Sequence, residues 1–193
     1  MATDFLMTEP SFVDPFSLAA KLGSGDLPPV HQWNPEFCGD MDLRIDRNGT
    51  WFYCNSPIGR HRLVKLLSTV IRRDNDGDYY LVTPVEKLRI RVDDAPFLAV
   101  ELESEGQGQQ QRLLFRTNVD EVVAADEAHP IRIVEDAGSG EPSPYLMIRD
   151  GLEALLSRPV FYRLVDLAVE HNQDGRTALG VWSCNVFFRL GFT

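Results

Sequence analysis

Cysteine is scarce in this chain of 193 residues: Cys38, Cys54 and Cys184 make an odd set with no Cys-x-x-Cys spacing. That disfavours a disulfide scaffold and a thiolate zinc site, and it suits a reducing compartment. No apolar run approaches the roughly 18–20 residues that cross a bilayer, so no transmembrane helix is expected. The first residues, Met1-Ala2-Thr3-Asp4, place no basic region ahead of an apolar stretch, and no signal peptide is expected there. His-x-x-x-His pairs, a Gly-x-Ser-x-Gly elbow, a Walker loop and a dinucleotide fingerprint are all missing. No motif names a reaction. What remains is ordinary: 44% apolar, 25% charged, 14 Gly and 12 Pro. This composition excludes wholesale disorder and collagen-like repeats and predicts a folded cytoplasmic protein of one domain or two small ones.

Positive charge is also scarce, and it is unevenly placed. The net charge of −10 argues against nucleic-acid polymers and anionic membranes as partners. Yet residues 44–91 carry ten Lys and Arg against five acids, which leaves −15 for the rest. Sixteen of the nineteen cations are arginine, whose planar fork holds phosphate or carboxylate with two bonds at once. A solvated surface of ion pairs is the plain reading of such a stretch. A dedicated anion site is the sharper one.

Along the chain, Asp14-Pro15 opens a short helix that Gly23 closes, and residues 24–29 read as a linker. Leu43 and Ile45, the Asn48-Gly49 turn and Thr50–Cys54 predict a hairpin. Leu63, Val64, Leu66, Leu67, Val70 and Ile71 then fall on one face of a helix, with Arg72 and Arg73 at its C-terminal end. Tyr79–Val82 is a strand. Lys87–Val92 alternates strictly, with Lys87, Arg89 and Arg91 on one face. Further strands are expected near 97–103, 112–117, 131–135 and 144–149, separated by polar loops at 105–111 and 136–144.

The last fifty residues echo the first pattern. Leu43-x-Ile45 matches Leu146-x-Ile148, Ser56-Pro57-Ile58 matches Ser157–Val160, Arg62–Leu66 matches Arg163–Leu167, and Asp76-Gly77 matches Asp174-Gly175. The common order points to an internal duplication. The domains expected are 1–25 (helix and linker), 26–84 (first repeat) and 85–193 (second).

Several constellations were weighed for chemistry. The Asp46-x-Asn48-Gly49 and Asp74-x-Asp76-Gly77 loops lack the first and last calcium ligands and read as turns. His31, Cys38, Asp40, Cys54 and His61 lack metal-ligand spacing, so no metal or cofactor is expected. Asp93-Asp94, with Asp40 and His31, offers acid–base groups for a metal-dependent phosphoester hydrolase, although salt-bridged turns explain the acids as well. Pro28–Pro35 packs His31, Trp33 and Asn34 behind a stiff Pro-Pro entry. It is either a segment pinned across the core or an aromatic wall for a nucleobase beside arginine forks.

Pro28-Pro29-x-His31-x-Trp33-Asn34-Pro35, Cys38-Gly39-Asp40-x-Asp42, Asn48–Tyr53, Ser56-Pro57-Ile58, Tyr79–Lys87 and Val92–Phe97 resemble a bacterial family of small proteins. It is the domain-of-unknown-function family numbered 1285, and the resemblance covers roughly residues 26–193. It implies an α+β fold of two related halves, each a curled antiparallel sheet with one amphipathic helix, the C-terminal half pleckstrin-homology-like. It also implies a ligand site between the halves, with a role in nucleotide-based signalling, and it supplies no catalytic residues. The leading expectation is therefore a cytoplasmic binding or sensing protein for a small anionic, nucleotide-like ligand. The expected lining is His31, Trp33, Asn34, Arg60, Thr83, Glu86, Lys87, Arg89, Asp93, Asp94 and Phe97. A protein-interaction adaptor, bound to a protein partner, is the third alternative.

Overall fold

Alternating β-branched and aromatic residues make this mostly a β protein, with helices only where the apolar period lengthens. The computed structural model describes residues 14–16, 18, 27–135, 138, 140–173 and 175–192. The N-terminal expectation is legible only at its start, where Asp14 Oδ1 accepts the Phe16 N–H at 2.8 Å and Leu18 is fully buried. The rest of that helix, and residues 24–26 of the linker, lie outside the described residues.

The first sheet contains β1 (Phe37–Ile45), β2 (Trp51–Tyr53), β3 (Ser56–Pro57), β4 (Ile71–Arg73), β5 (Tyr79–Val82) and β6 (Lys87–Val92). Its order is β3-β2-β1-β6-β5-β4. The second sheet contains β7 (Phe97–Glu105), β8 (Arg112–Thr117), β9 (Val122–Ala124), β10 (Ile131–Glu135), β11 (Pro142–Arg149) and β12 (Leu152–Leu156), in the order β10-β11-β12-β7-β8-β9. Strands β13 (Val169–Gln173), β14 (Arg176–Ser183) and β15 (Val186–Phe192) form a third sheet. Helix α1 is His61–Ser68 and helix α2 is Arg158–Asp166. No helix among the described residues is long and apolar enough to cross a membrane.

Three expectations change. The large sheets are mixed rather than purely antiparallel, because β1 pairs parallel with β6 and β12 parallel with β7. The boundary drawn at 84/85 falls inside the first sheet, since β6 lies between β1 and β5. Finally, α1 stops at Ser68, and Ile71–Arg73 is a strand. The hydroxyls of Ser68 and Thr69 donate to the Lys65 and Leu66 carbonyls at 2.7 Å, and the β-branched Thr69-Val70-Ile71 then favours extended backbone.

Both repeats run hairpin, helix, three-strand meander: β1–β2, α1, β4–β6 and β11–β12, α2, β13–β15. Their pairings differ. The first meander joins its own hairpin through β1–β6, whereas the second forms a separate sheet and its hairpin takes β7 as partner. One continuous core runs through both halves, from Ile45, Trp51, Leu67 and Leu81 to Phe97, Phe115, Leu146 and Leu164. The 105–111 insert is a docking loop as well as a hairpin connection. Gln111 Nε2 donates to the Trp182 carbonyl at 2.7 Å, and the Gln111 and Gln109 carbonyls accept the Cys184 and Asn185 N–H groups.

Candidate functional site

The Pro28–Pro35 segment is pinned by an arginine from β4. Arg72 Nη1 donates to the Trp33 carbonyl at 2.6 Å and its Nε and Nη2 grip Asp74 at 2.5 and 3.1 Å. Lys87 Nζ lies 2.5 Å from the same Asp74 carboxylate and 4.1 Å from the Tyr80 ring centroid. Burial pushes the Asp74 carboxyl up, but the Arg72 and Lys87 donors outweigh it and hold it below the usual carboxylate range. Nearby, Tyr80 donates its phenol proton to Asp76 at 2.6 Å; that bond to a carboxylate, with burial, pushes the phenol up to about 12. An open cleft of about 560 Å³ lies over this cluster, lined by His31, Trp33, Asn34, Arg72 and Arg73 and by Asp74, Asp76 and Asp150. Its carboxylates outnumber its arginines, so it does not suit an anion.

The basic face of β6 is likewise matched with acids. Arg89 holds Asp40 bidentately at 2.7 and 3.0 Å and reaches Asp78 at 3.2 Å; its hydrogen bond keeps the Asp40 carboxyl low. Arg44 and Arg91 both lie 3.1 Å from Asp93. Thr83 is buried, and its hydroxyl accepts the Glu86 and Val85 N–H groups of the β5–β6 turn. Phe97 is only 1% exposed and packs in the core beneath the Arg149 guanidinium, so it has no free face for a ligand. Arg60 sits elsewhere, stacked on Phe16 in a separate pocket with Tyr53 and Ile58.

The expected lining thus divides among different places. His31, Trp33 and Asn34 share the open cleft. Lys87 joins it only through Asp74, and Arg89, Asp93, Asp94, Arg60 and Phe97 face other surroundings. Asp40, Asp93, Asp94 and His31 do not converge as a hydrolase centre, and no group of three metal-ligating side chains forms among the described residues. The cause is local: a strand whose exposed face carries three cations beside acidic turns recruits those acids as ion-pair partners.

The junction between the halves is built by residues of another kind. Arg47, in the β1–β2 turn, reaches Asp94 at 3.3 Å and donates to Ser143 Oγ at 2.9 Å. Asp94 also accepts the Tyr145 phenol proton at 2.7 Å. Asn118 bridges the halves by donating to the Gly49 carbonyl and accepting the Leu98 N–H, both at 3.0 Å. Arg149 pairs with Glu121 and donates to the Ser68 carbonyl at 2.8 Å, closing an orphan group at the end of α1. Asp120 collects His61 at 3.0 Å, Lys65 at 3.2 Å and Arg116 at 3.4 Å; the first two hold its carboxyl down.

Beside these latches lies a cleft of about 520 Å³. Arg47 and Asn48 of the first half close one side. Leu98, Leu155, Phe161, Pro142 and Pro144 give it apolar walls, with Ser143, Ser157, Glu141 and Arg158 at the polar end. Ser157, in extended conformation, precedes Arg158-Pro159 at the start of α2, whose first amides have no acceptor within the helix. Arg158 is exposed and forms no ion pair among the described residues. Sequence reasoning missed Arg47, Ser157 and Arg158 as site residues. The Ser-x-Pro helix-start signal was visible, but nothing local shows that it faces the β1–β2 turn more than one hundred residues away.

The comparisons follow the same division of the chain. Residues 28–95 match the family model described as the domain of unknown function (DUF1285), N-terminal domain, and residues 96–190 match its C-terminal domain. A crystal structure of a DUF1285 family protein from Silicibacter pomeroyi DSS-3 is 48% identical, covering 93% of this chain and 96% of that one, with a TM-score of 0.86. One from Shewanella baltica OS155 is 27% identical over 65% of this chain and 91% of that one, with a TM-score of 0.52. No curated protein matches. Since the two models meet at residue 95 and a solved relative shares nearly half its residues over almost the whole length, this chain belongs to the DUF1285 family.

Proposed function

We propose that the protein binds a small organic anion in the cleft between its halves. Arg158 takes the phosphate or carboxylate, Arg47 stays latched to Asp94 and Ser143 at the rim, and Phe161, Leu155 and the prolines take the apolar body. A nucleotide-like ligand satisfies both ends, and its binding would set the angle between the halves as the output of a signalling step. In this reading the C-terminal half keeps the pleckstrin-homology-like outline that the family resemblance implies. Exposed, unpaired Cys38 and Cys54 suit the cytoplasm.

The observation that carries the reading is Arg158: an arginine without a carboxylate partner among the described residues, at the mouth of a cleft and beside a helix N-terminus, in a chain of net charge −10. The test is a thermal-shift series with nucleoside mono- and triphosphates, cyclic mono- and dinucleotides and inorganic phosphate, with and without Mg²⁺. A ligand at about 100 times its Kd adds about 2.7 kcal/mol, a rise of roughly 5–10 °C for a chain of this size. The rise should vanish in Arg158→Ala and persist in Lys87→Ala, whose cation is already held by Asp74. No shift from any anion, or an unchanged shift in Arg158→Ala, overturns the assignment.

A further inference from the structure

The outer face of the third sheet carries aromatic residues that the core does not use. In β14, Val181 and Ser183 are fully buried on the inner face, so Arg176, Ala178, Gly180 and Trp182 point the other way. Register adds Val169 and His171 from β13 and Phe187, Arg189 and Phe192 from β15 to that outer face. His171, Trp182 and Phe187 form a triangle with centroids 4.8–5.2 Å apart. Neither Trp182 nor Phe187 packs against the continuous core. The Phe187 ring lies over Gly180, where a Cβ would approach its Cζ to 2.5 Å, so the backbone at 180 is shaped to hold the triangle in place. Phe192 is 51% exposed and Val169 47%.

The charges on this face are one-sided. Arg189 and Arg176 stack on Phe192 at 4.5 and 5.9 Å, and neither forms an ion pair among the described residues. Among the described residues no Asp or Glu shares the face, although the chain has 29 acidic residues and most other arginines in the strands have found one. Trp, Phe and Arg without Lys, Asp or Glu is the composition of a protein-interface centre rather than of a solvated surface.

We propose that this face is a docking surface for an acidic protein segment, one that seats an apolar side chain against Trp182, Phe187 and Phe192 and sets carboxylates on Arg176 and Arg189. A second copy in face-to-face contact would bring arginines against arginines. Single-stranded nucleic acid would find the stacking surfaces but would meet the field of a chain with net charge −10. A protein segment with one or two carboxylates meets that field far more weakly than an unbroken row of phosphates, and the two arginines match its charge. This surface is separate from the cleft between the halves and does not depend on it.

The test is selection of displayed random twelve-residue peptides against the full chain. Enriched peptides should combine Asp or Glu with a large apolar residue. A synthetic representative, followed by fluorescence polarisation, should lose at least tenfold in affinity with Phe192→Ala and with Arg176→Glu/Arg189→Glu, and nothing with Arg158→Ala. These side chains are exposed, so the variants should melt within a few degrees of the parent. No enrichment, enrichment without acidic bias, or equal binding by the charge-reversed variant overturns the proposal. Fifteen-residue oligothymidine bound by the parent and not by that variant overturns it in favour of nucleic acid. Self-association that disappears in Phe192→Ala overturns it in favour of a second copy.

Discussion

Replacing Gly49 by alanine tests how the two halves are held. Gly49 closes the β1–β2 turn at φ +78°, its N–H bonded to the Asp46 carbonyl at 3.0 Å. A Cβ there would sit 2.6 Å from Asn118 Nδ2 and 3.1 Å from Leu98 Cβ, so Asn118 must move. The left-handed backbone itself costs an alanine about 1–2 kcal/mol. Displacing Asn118 loosens its bonds to the Gly49 carbonyl and the Leu98 N–H, at about 0.5–1.5 kcal/mol each. The sum is about 2–5 kcal/mol, a fall in Tm of roughly 5–15 °C for a chain of this length. Gly77→Ala supplies the control: φ is +89° with nothing within 4 Å, so only the backbone cost of about 1–2 kcal/mol applies. A urea-denaturation cycle isolates the contact between halves. On an Asn118→Ala background, Gly49→Ala should fall back towards the Gly77→Ala cost, a coupling of about 1 kcal/mol or more. If Gly49→Ala matches Gly77→Ala, or the pair is additive within about 0.5 kcal/mol, the turn is not a strut between the halves.

Two further outcomes are expected. Arg149→Met leaves the Glu121 carboxylate unpaired and the Ser68 carbonyl open in a largely buried position, and should cost about 3–5 kcal/mol in equilibrium unfolding. Asp74→Asn removes a carboxylate whose folded-state acidity is enhanced. Such a group stabilises the fold above the unfolded carboxylate range near pH 4 and loses that contribution as pH falls through its lower folded value. The variant should therefore be less stable near pH 7 and show a flatter decline of Tm as pH falls below about 4; an unchanged acid limb would refute the Arg72–Asp74–Lys87 linkage.

Much of the local structure is readable from residue order. The alternation of Lys87–Val92 gives β6 with Leu88 and Ile90 inside and Arg89 and Arg91 outside, and Asn48-Gly49 makes the turn it signals. Apolar periodicity locates α1 but overruns its end, since Val70 and Ile71 continue the helical stripe while their branching favours a strand. The candidate site is less legible. Arg89 and Lys87 look like anion ligands in sequence, yet Asp40 and Asp74 reach them through β1–β6 pairing and the β4–β5 turn, separations of 49 and 13 residues. Phe97 reads as a possible aromatic wall, but its place in a parallel pair with β12 buries it.

Sequence alone determined the family, the strand-rich composition, the two-part order of hairpin, helix and meander, and the excess of arginine in an acidic chain. These depend on local preference and on side-chain period, which are written residue by residue. Tertiary structure decided which arginines were left without acids, that the second meander would stand as its own sheet, and that Arg47 and Arg158 would face one cleft. Those outcomes depend on non-local pairing. Whether a cation is free or matched follows from which distant strand lies beside it, and no window along the chain contains that information.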